Sequence, residues 1–324
     1  MILVELALER SKHYPPHEQK PKVAGQMGQP RSDLSKEHGP LHLPAGERLT
    51  SRPWSGRRID MSKTAIVAGE SRGIGRSIAK RLAEDGFAVV VNFAAGALDA
   101  KETVAEIKES GGQAVAIQAD VTQEDDVKRL FESSLKEFGR IDVVVNNVGI
   151  MHLSPVARGD VETFDETVRI NLRGTFLVFA QAASHISEGG RIIAFSSCAL
   201  GENSPSYGAY VASKAGVEGL VRVLANEIRG HRVTVNAVAL GPVATELSVT
   251  GVRVEEIAQL GKFAALEYLG EQNDITHIVS FLAGPEGEWV NGQVIPVSEG
   301  AHDRSAAVGS GGEHVTVSHR SAAD

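Results

Sequence analysis

Between residues 61 and 300 the chain alternates two kinds of segment. One kind is short and nearly continuous in apolar and β-branched residues: 64–68, 88–92, 114–118, 143–145, 191–195, 233–238 and 293–297. Runs that lack a polar alternate are what parallel strands covered on both faces require, so each predicts a strand. The other kind is amphipathic, at 75–84, 98–109, 124–137, 161–187, 207–229 and 273–282, and predicts helices. Gly86, Gly111 with Gly112, Gly139 and Gly230 fall near the helix ends, where a left-handed residue is often needed. The alternation predicts an α/β fold: a doubly wound, Rossmann-type parallel sheet of about seven strands in a single domain.

The two ends break this pattern. Residues 1–60 carry seven of the twelve prolines and four of the eleven histidines and show little hydrophobic periodicity. They predict a disordered extension ahead of a catalytic domain at 61–300. Met61 opens Met-Ser-Lys-Thr-Ala-Ile-Val, which reads as a natural start for the first strand. Residues 301–324, rich in Ser, Gly, Ala and His, predict a flexible tail.

Composition narrows the class without choosing the chemistry. A formal net charge of -8 argues against a nucleic-acid surface, which needs clustered cations. The single cysteine, Cys198, leaves no internal disulfide and fits a reducing, cytoplasmic compartment. No apolar run approaches the ~18 residues of a membrane helix.

Candidate chemistry enters at two places. After the first strand comes Ala-Gly-Glu-Ser-Arg-Gly-Ile-Gly, residues 68–75. Gly69, Gly73 and Gly75 let the backbone turn tightly, and Ser71, Arg72 and Ile74 complete a loop that offers the next helix's N–H groups to a pyrophosphate. The second strand ends Val-Asn-Phe-Ala, with Asn92 where an acid would select NAD by binding the ribose hydroxyls. With no acid there and Arg72 able to pair with a 2′-phosphate, NADP(H) is the expected cofactor. Asp120, followed by Val121, is either an acceptor for the adenine amino group or the N-cap of the helix near Glu124. Asn146-Asn147-Val148-Gly149 closes the fourth strand, with Asn147 and Gly149 expected beside the ribose.

The second place is the run Tyr-Val-Ala-Ser-Lys. Tyr210 and Lys214 share a helix face at i and i+4, and Ser197 lies thirteen residues before the tyrosine. A free phenol titrates near ~10, and a neighbouring ammonium is expected to lower that value and suit the group to proton transfer. Ser197 can hydrogen-bond the same substrate oxygen. Asn171, placed mid-helix where asparagine is poorly suited, can hold a water that relays protons toward Lys214. An isolated Tyr-x-x-x-Lys spacing more often marks an exposed helix pair, so the motif gains force only from its companions. Tyr207 has valine at the corresponding position and lacks the lysine, and Cys198 reads as packing.

In this order, the glycine loop, the Asn-Asn-x-Gly turn, Asn171, Ser197, Tyr210 and Lys214 resemble the short, single-domain branch of the short-chain dehydrogenase/reductase family over 61–300. The resemblance implies an Asn-Ser-Tyr-Lys tetrad and NADPH-dependent reduction of a small-molecule carbonyl. Val243 and Thr245 are implied near the nicotinamide amide. It also implies a homotetramer built partly from the helices at 161–187 and 207–229. The members it is most similar to are 3-oxoacyl-acyl-carrier-protein reductases and general ketone and aldehyde reductases. A dedicated acyl-carrier enzyme and a non-catalytic NADP(H)-sensing protein on the same fold are the alternatives. Departures from the family pattern are Ala68 for threonine, Val148 for alanine, Leu240 for proline and Glu299 for glycine. The substrate loop is expected at 245–268, with Met151, His152 and Leu153 completing the pocket.

Overall fold

A computed structural model of the chain describes residues 63–69, 73–202, 204–241, 243 and 270–298, all within the compact unit Gly56–Asp324. The expectations for the 1–60 arm, the 301–324 tail, the 245–268 loop, Ser71, Arg72, Thr245 and Glu299 lie outside the described residues.

Seven parallel strands form the sheet: β1 (Thr64–Ala68), β2 (Ala88–Phe93), β3 (Ala114–Gln118), β4 (Val143–Asn146), β5 (Arg191–Ser197), β6 (Thr234–Leu240) and β7 (Val294–Val297). Their order is β3-β2-β1-β4-β5-β6-β7. The chain winds outward from β1 on one side and restarts at β4 on the other, so β1 and β4 flank the switch point where a ligand crevice opens. Register there pairs Ala68 with Asn146.

The apolar runs are continuous because each strand feeds two cores. Ile66, Val90, Val144 and Ile192 pack on one face with Leu130, Phe131, Phe179 and Val221. Ala65, Val67, Val89, Val145 and Ile193 pack on the other with Ile78, Leu82, Ile107, Val279 and Leu282. Helices α1 (Ile74–Glu84), α2 (Ala97–Glu109) and α8 (Gln272–Ala283) supply the second core. The first core is covered by α3 (Glu124–Phe138), α5 (Gly174–His185) and α7 (Gly208–Glu227).

One predicted helix is not uniform. The stretch expected as a single helix at 161–187 is α4 (Val161–Val168), a π turn (Arg169–Arg173) and then α5. A short helix, α6 (Ala199–Glu202), follows β5. Among the described residues no helix is long and apolar enough to cross a membrane.

Candidate active site

The ends of β1, β2, β3 and β4 open onto a cavity of about 530 Å³ lined by Gly69, Asn92–Ala95, Ala119–Thr122, Asn147–Gly149, Arg169 and Ile170. Its glycine side is built tightly. Gly69 has φ +80°, and a Cβ there would stand 2.7 Å from Val148 Cγ2. Only glycine meets both demands. Asn147 donates its backbone N–H to Ala68 O at 2.9 Å and its side-chain amide to Gly69 O at 2.7 Å. Helix α1 begins behind this loop with Gly73 as N-cap, no side-chain cap and no acid in its first turn. Its positive end therefore has no protein acceptor among the described residues, which fits the pyrophosphate of a dinucleotide.

Two cofactor assignments take a different form from the sequence reading. Asp120 is not the N-cap of α3, because Gln123 holds that position. Asp120 Oδ1 instead accepts from Thr122 N–H at 2.9 Å, a tight turn that sets Asp120, Val121 and Thr122 along the cavity wall. Asn92 lines the cavity but is buried, and its amide donates to Ile117 O at 3.2 Å and Ala119 O at 3.0 Å. Its amide nitrogen thereby ties the end of β2 to residues 117 and 119. The exposed position at that strand end is Ala94.

Tyr210, Lys214, Ser197 and Asn171 come together at the C-terminal edge of β5. Ser197 is the last residue of that strand, and its hydroxyl accepts from Ala199 N–H at 3.2 Å. Lys214 is buried on α7, donates to Phe195 O at 3.0 Å, and stands 5.9 Å from the centroid of the Tyr210 ring. Burial pushes its ammonium down to about 8. Tyr210 moves the opposite way from the expectation. Burial raises its pKa, a hydrogen bond with Ser197 opposes the rise, and the nearby Tyr207 phenol and Cys198 thiol add to it. Lys214 is not among the groups that move the phenol, and burial outweighs the Ser197 hydrogen bond.

The π turn explains Asn171. The wider turn carries its side chain into the protein, fully buried, where Oδ1 accepts from Ile150 N–H at 2.8 Å. Its Nδ2 donates to Ile150 O at 2.9 Å and to Ser213 Oγ at 3.0 Å. The amide is thus engaged with protein groups on three contacts. Gly149 makes room for this: a Cβ there would lie 3.1 Å from Lys214 Nζ and 3.5 Å from Asn171 Oδ1.

Several of these groups escaped the sequence reading. Phe195 and Ile150 act through their backbones, which no side-chain motif signals. Ser213 was visible as the i+3 neighbour of Tyr210, on the same helix face. Cys198 is buried with its thiol against Ala239 O at 3.1 Å, in keeping with packing. Val243 forms an isolated parallel bridge with Gly270, fixing both ends of the segment between them.

Comparison with known proteins places the chain. The family profile described as enoyl-(acyl carrier protein) reductase matches residues 68–302. An Arabidopsis thaliana protein named NADPH-dependent aldehyde reductase-like protein, chloroplastic, is 39% identical over 252 residues, covering 74% of this chain and 93% of its own length. A hydroxynaphthalene reductase-like protein Arp2 of Metarhizium acridum is 38% identical over 252 residues, covering 74% and 94%. A crystal structure of a short-chain dehydrogenase from Burkholderia cenocepacia in complex with NADP superposes with a TM-score of 0.70 at 34% identity, covering 76% of this chain and 99% of that one.

Proposed function

Because the chain belongs to the short-chain dehydrogenase/reductase family, we propose that it reduces a ketone or aldehyde to an alcohol with Tyr210 as proton donor. It is an NADP(H)-dependent oxidoreductase, as the reductase relatives and the NADP-bound neighbour support. Gly69, Gly73 and the open end of α1 would hold the pyrophosphate, and Asp120, Val121 and Asn147 the adenosine half. When bound, NADPH supplies the hydride.

The observation that carries the reading is the convergence of Tyr210, its hydrogen-bond partner Ser197 and the buried Lys214 at the end of β5. A phenol is protonated at neutral pH and can give that proton to the oxygen of a carbonyl as the carbon is reduced. Ser197 holds the same oxygen. Lys214, a cation in a low-dielectric site, stabilises the phenolate that remains.

The substrate we propose is a moderately apolar small molecule, since the exposed side chains beyond β4 include Met151 and Leu153. An acyl chain on a carrier protein is the second reading, suggested by the description of the matching family profile. Arg173, one of the few cations available for such a partner, donates instead to Thr122 O. Following NADPH absorbance against ketones, aldehydes and a 3-oxoacyl thioester tests both. Turnover of simple ketones or aldehydes is the expected result, and none with any carbonyl would sink the reading.

We further propose a cytosolic homotetramer. Val161, Phe164 and Phe176 on α4 and α5, with Val223 on α7, leave large apolar groups exposed on the helices the resemblance assigns to subunit contacts. Light scattering in solution checks it; a monomer would exclude it.

A further inference from the structure

The Ser213 hydroxyl is fully buried where α7 faces the π turn, and it donates to Tyr210 O at 2.7 Å. A backbone carbonyl can only accept, so the single hydroxyl proton is committed there. Towards Asn171 Nδ2, 3.0 Å away, Ser213 can therefore act only as acceptor. We propose that Ser213 is a positioning residue, which fixes which way round the Asn171 amide stands beside Lys214. The inference rests on the reductase reading above.

The amide has two faces, and turning it over would exchange Oδ1 with Nδ2. Oδ1 would then meet Ile150 O and Ser213 Oγ, two groups with no proton to give it, while the NH2 would meet Ile150 N–H. All three contacts would become repulsive. Ile150 alone supplies one donor and one acceptor from a loop beyond β4. Ser213 adds the third constraint from the helix that carries Tyr210 and Lys214. The orientation matters because Asn171 Oδ1 and Lys214 Nζ both lie within 3.5 Å of the point where a Gly149 Cβ would stand. The amide oxygen and the ammonium thus border the same space beside Gly149, and a turned amide would direct its NH2 there instead. Through one hydroxyl, the proton-donating helix and the π turn are locked in a single arrangement.

A double-mutant cycle separates this role from mere packing. Ser213→Ala removes the acceptor, and Ser213→Thr keeps it. Asn171→Ser removes the amide, so that Ser213 has nothing left to orient. Each is made in the full chain, and kcat and KM are measured for the best carbonyl found in the panel, alongside unfolding midpoints. Ser213→Ala is expected to lower kcat by about 3–10-fold, the worth of one ordinary hydrogen bond, with KM for NADPH unchanged. In the Asn171→Ser background the same change should cost less than about 2-fold, because coupled residues are non-additive. Ser213→Thr should stay within about 3-fold of the parent, again less than the loss of a full bond. Equal losses of kcat in both backgrounds, or coupling seen in unfolding but absent from kcat, would show that Ser213 only packs and would overturn the proposal. If Asn171→Ser does not fold, the Ala-against-Thr contrast decides: a threonine variant as slow as the alanine one overturns it too. Failure of the reductase reading would show itself earlier, as a parent that turns over no carbonyl, and would take this inference with it.

Discussion

Lys214 Nζ stands 5.9 Å from the centroid of the Tyr210 ring, one helical turn away, while it donates to the carbonyl of Phe195 at 3.0 Å. The lysine is anchored to the sheet and not to the phenol. In the proposed mechanism its effect on Tyr210 would be exerted through space, on the charge left when the phenol gives up its proton. That division of labour sets the first two predictions.

Tyr210→Phe should leave NADPH binding nearly intact and reduce turnover by at least ~10²–10⁴-fold, the usual contribution of a general acid. Cofactor fluorescence titration and steady-state kinetics on the same preparation check it. A variant retaining a tenth or more of the parent rate would remove Tyr210 from its role.

The Lys214 ammonium, displaced by burial from 10.5 to about 8, gives two pH effects of opposite direction. Reduction should lose rate as pH rises through about 8, because the cation that stabilises the phenolate is lost. Stability should change the other way. Between about 8 and 10.5 the unfolded chain binds the proton that the folded chain has released, so this group makes folding more favourable as pH rises across that window. Lys214→Met should lack that gain in denaturant titrations run across the window. Identical pH slopes in parent and variant would contradict the burial account.

Gly149→Ala tests how tightly the lysine is placed. The new methyl would stand 3.1 Å from Lys214 Nζ, so the lysine must give by a few tenths of an ångström, while Asn171 Oδ1 at 3.5 Å stays in ordinary contact. A fall of ~10–10² in kcat is expected, since small displacements near the chemistry are costly. Thermal unfolding should remain cooperative. Full activity would mean that the lysine has room to spare.

Cofactor choice should respond at Ala94 and not at Asn92. Ala94→Asp places a carboxylate on the exposed strand end lining the cavity and should raise KM for NADPH while sparing NADH. Asn92→Asp puts a carboxylate against the carbonyls of Ile117 and Ala119 and should lower stability, by about 1–3 kcal/mol for the lost donor. Comparing kcat/KM for both cofactors with unfolding midpoints separates the two outcomes. A clean switch to NADH in the Asn92 variant would refute the placement of that amide.

A chain shortened to 61–324 should retain specific activity and unfolding midpoint, if the compositional boundary before Met61 marks the start of the catalytic domain. Large losses in either would place residues 1–60 in the working structure.

The strands were legible because burial on both faces writes itself as an uninterrupted apolar run; the predicted 64–68 and 114–118 coincide with β1 and β3. The π turn was not, since Ile170, Asn171 and Leu172 continue the helical periodicity on either side and an extra residue in one turn leaves no mark in hydropathy. The partners of Asn92 were hidden for a related reason. Its neighbour in sequence lines the same cavity, and only strand pairing shows that its amide faces β3 carbonyls. The direction of the Tyr210 shift was equally hidden, because the spacing to Lys214 is local whereas burial is made by elements far apart in the chain.

Helix α1 starts at Ile74 behind a glycine N-cap that offers no side-chain oxygen. Among the described residues no side chain closes that first turn, and a bound pyrophosphate would supply the acceptors it lacks. A cofactor bound there would add to the stability of the fold, whose durability should then track the supply of dinucleotide. A ligand present at a hundred times its dissociation constant adds about 2.7 kcal/mol to a folded state that alone binds it. When the pool of reduced dinucleotide runs low, the first casualty need not be turnover but the lifetime of the protein itself.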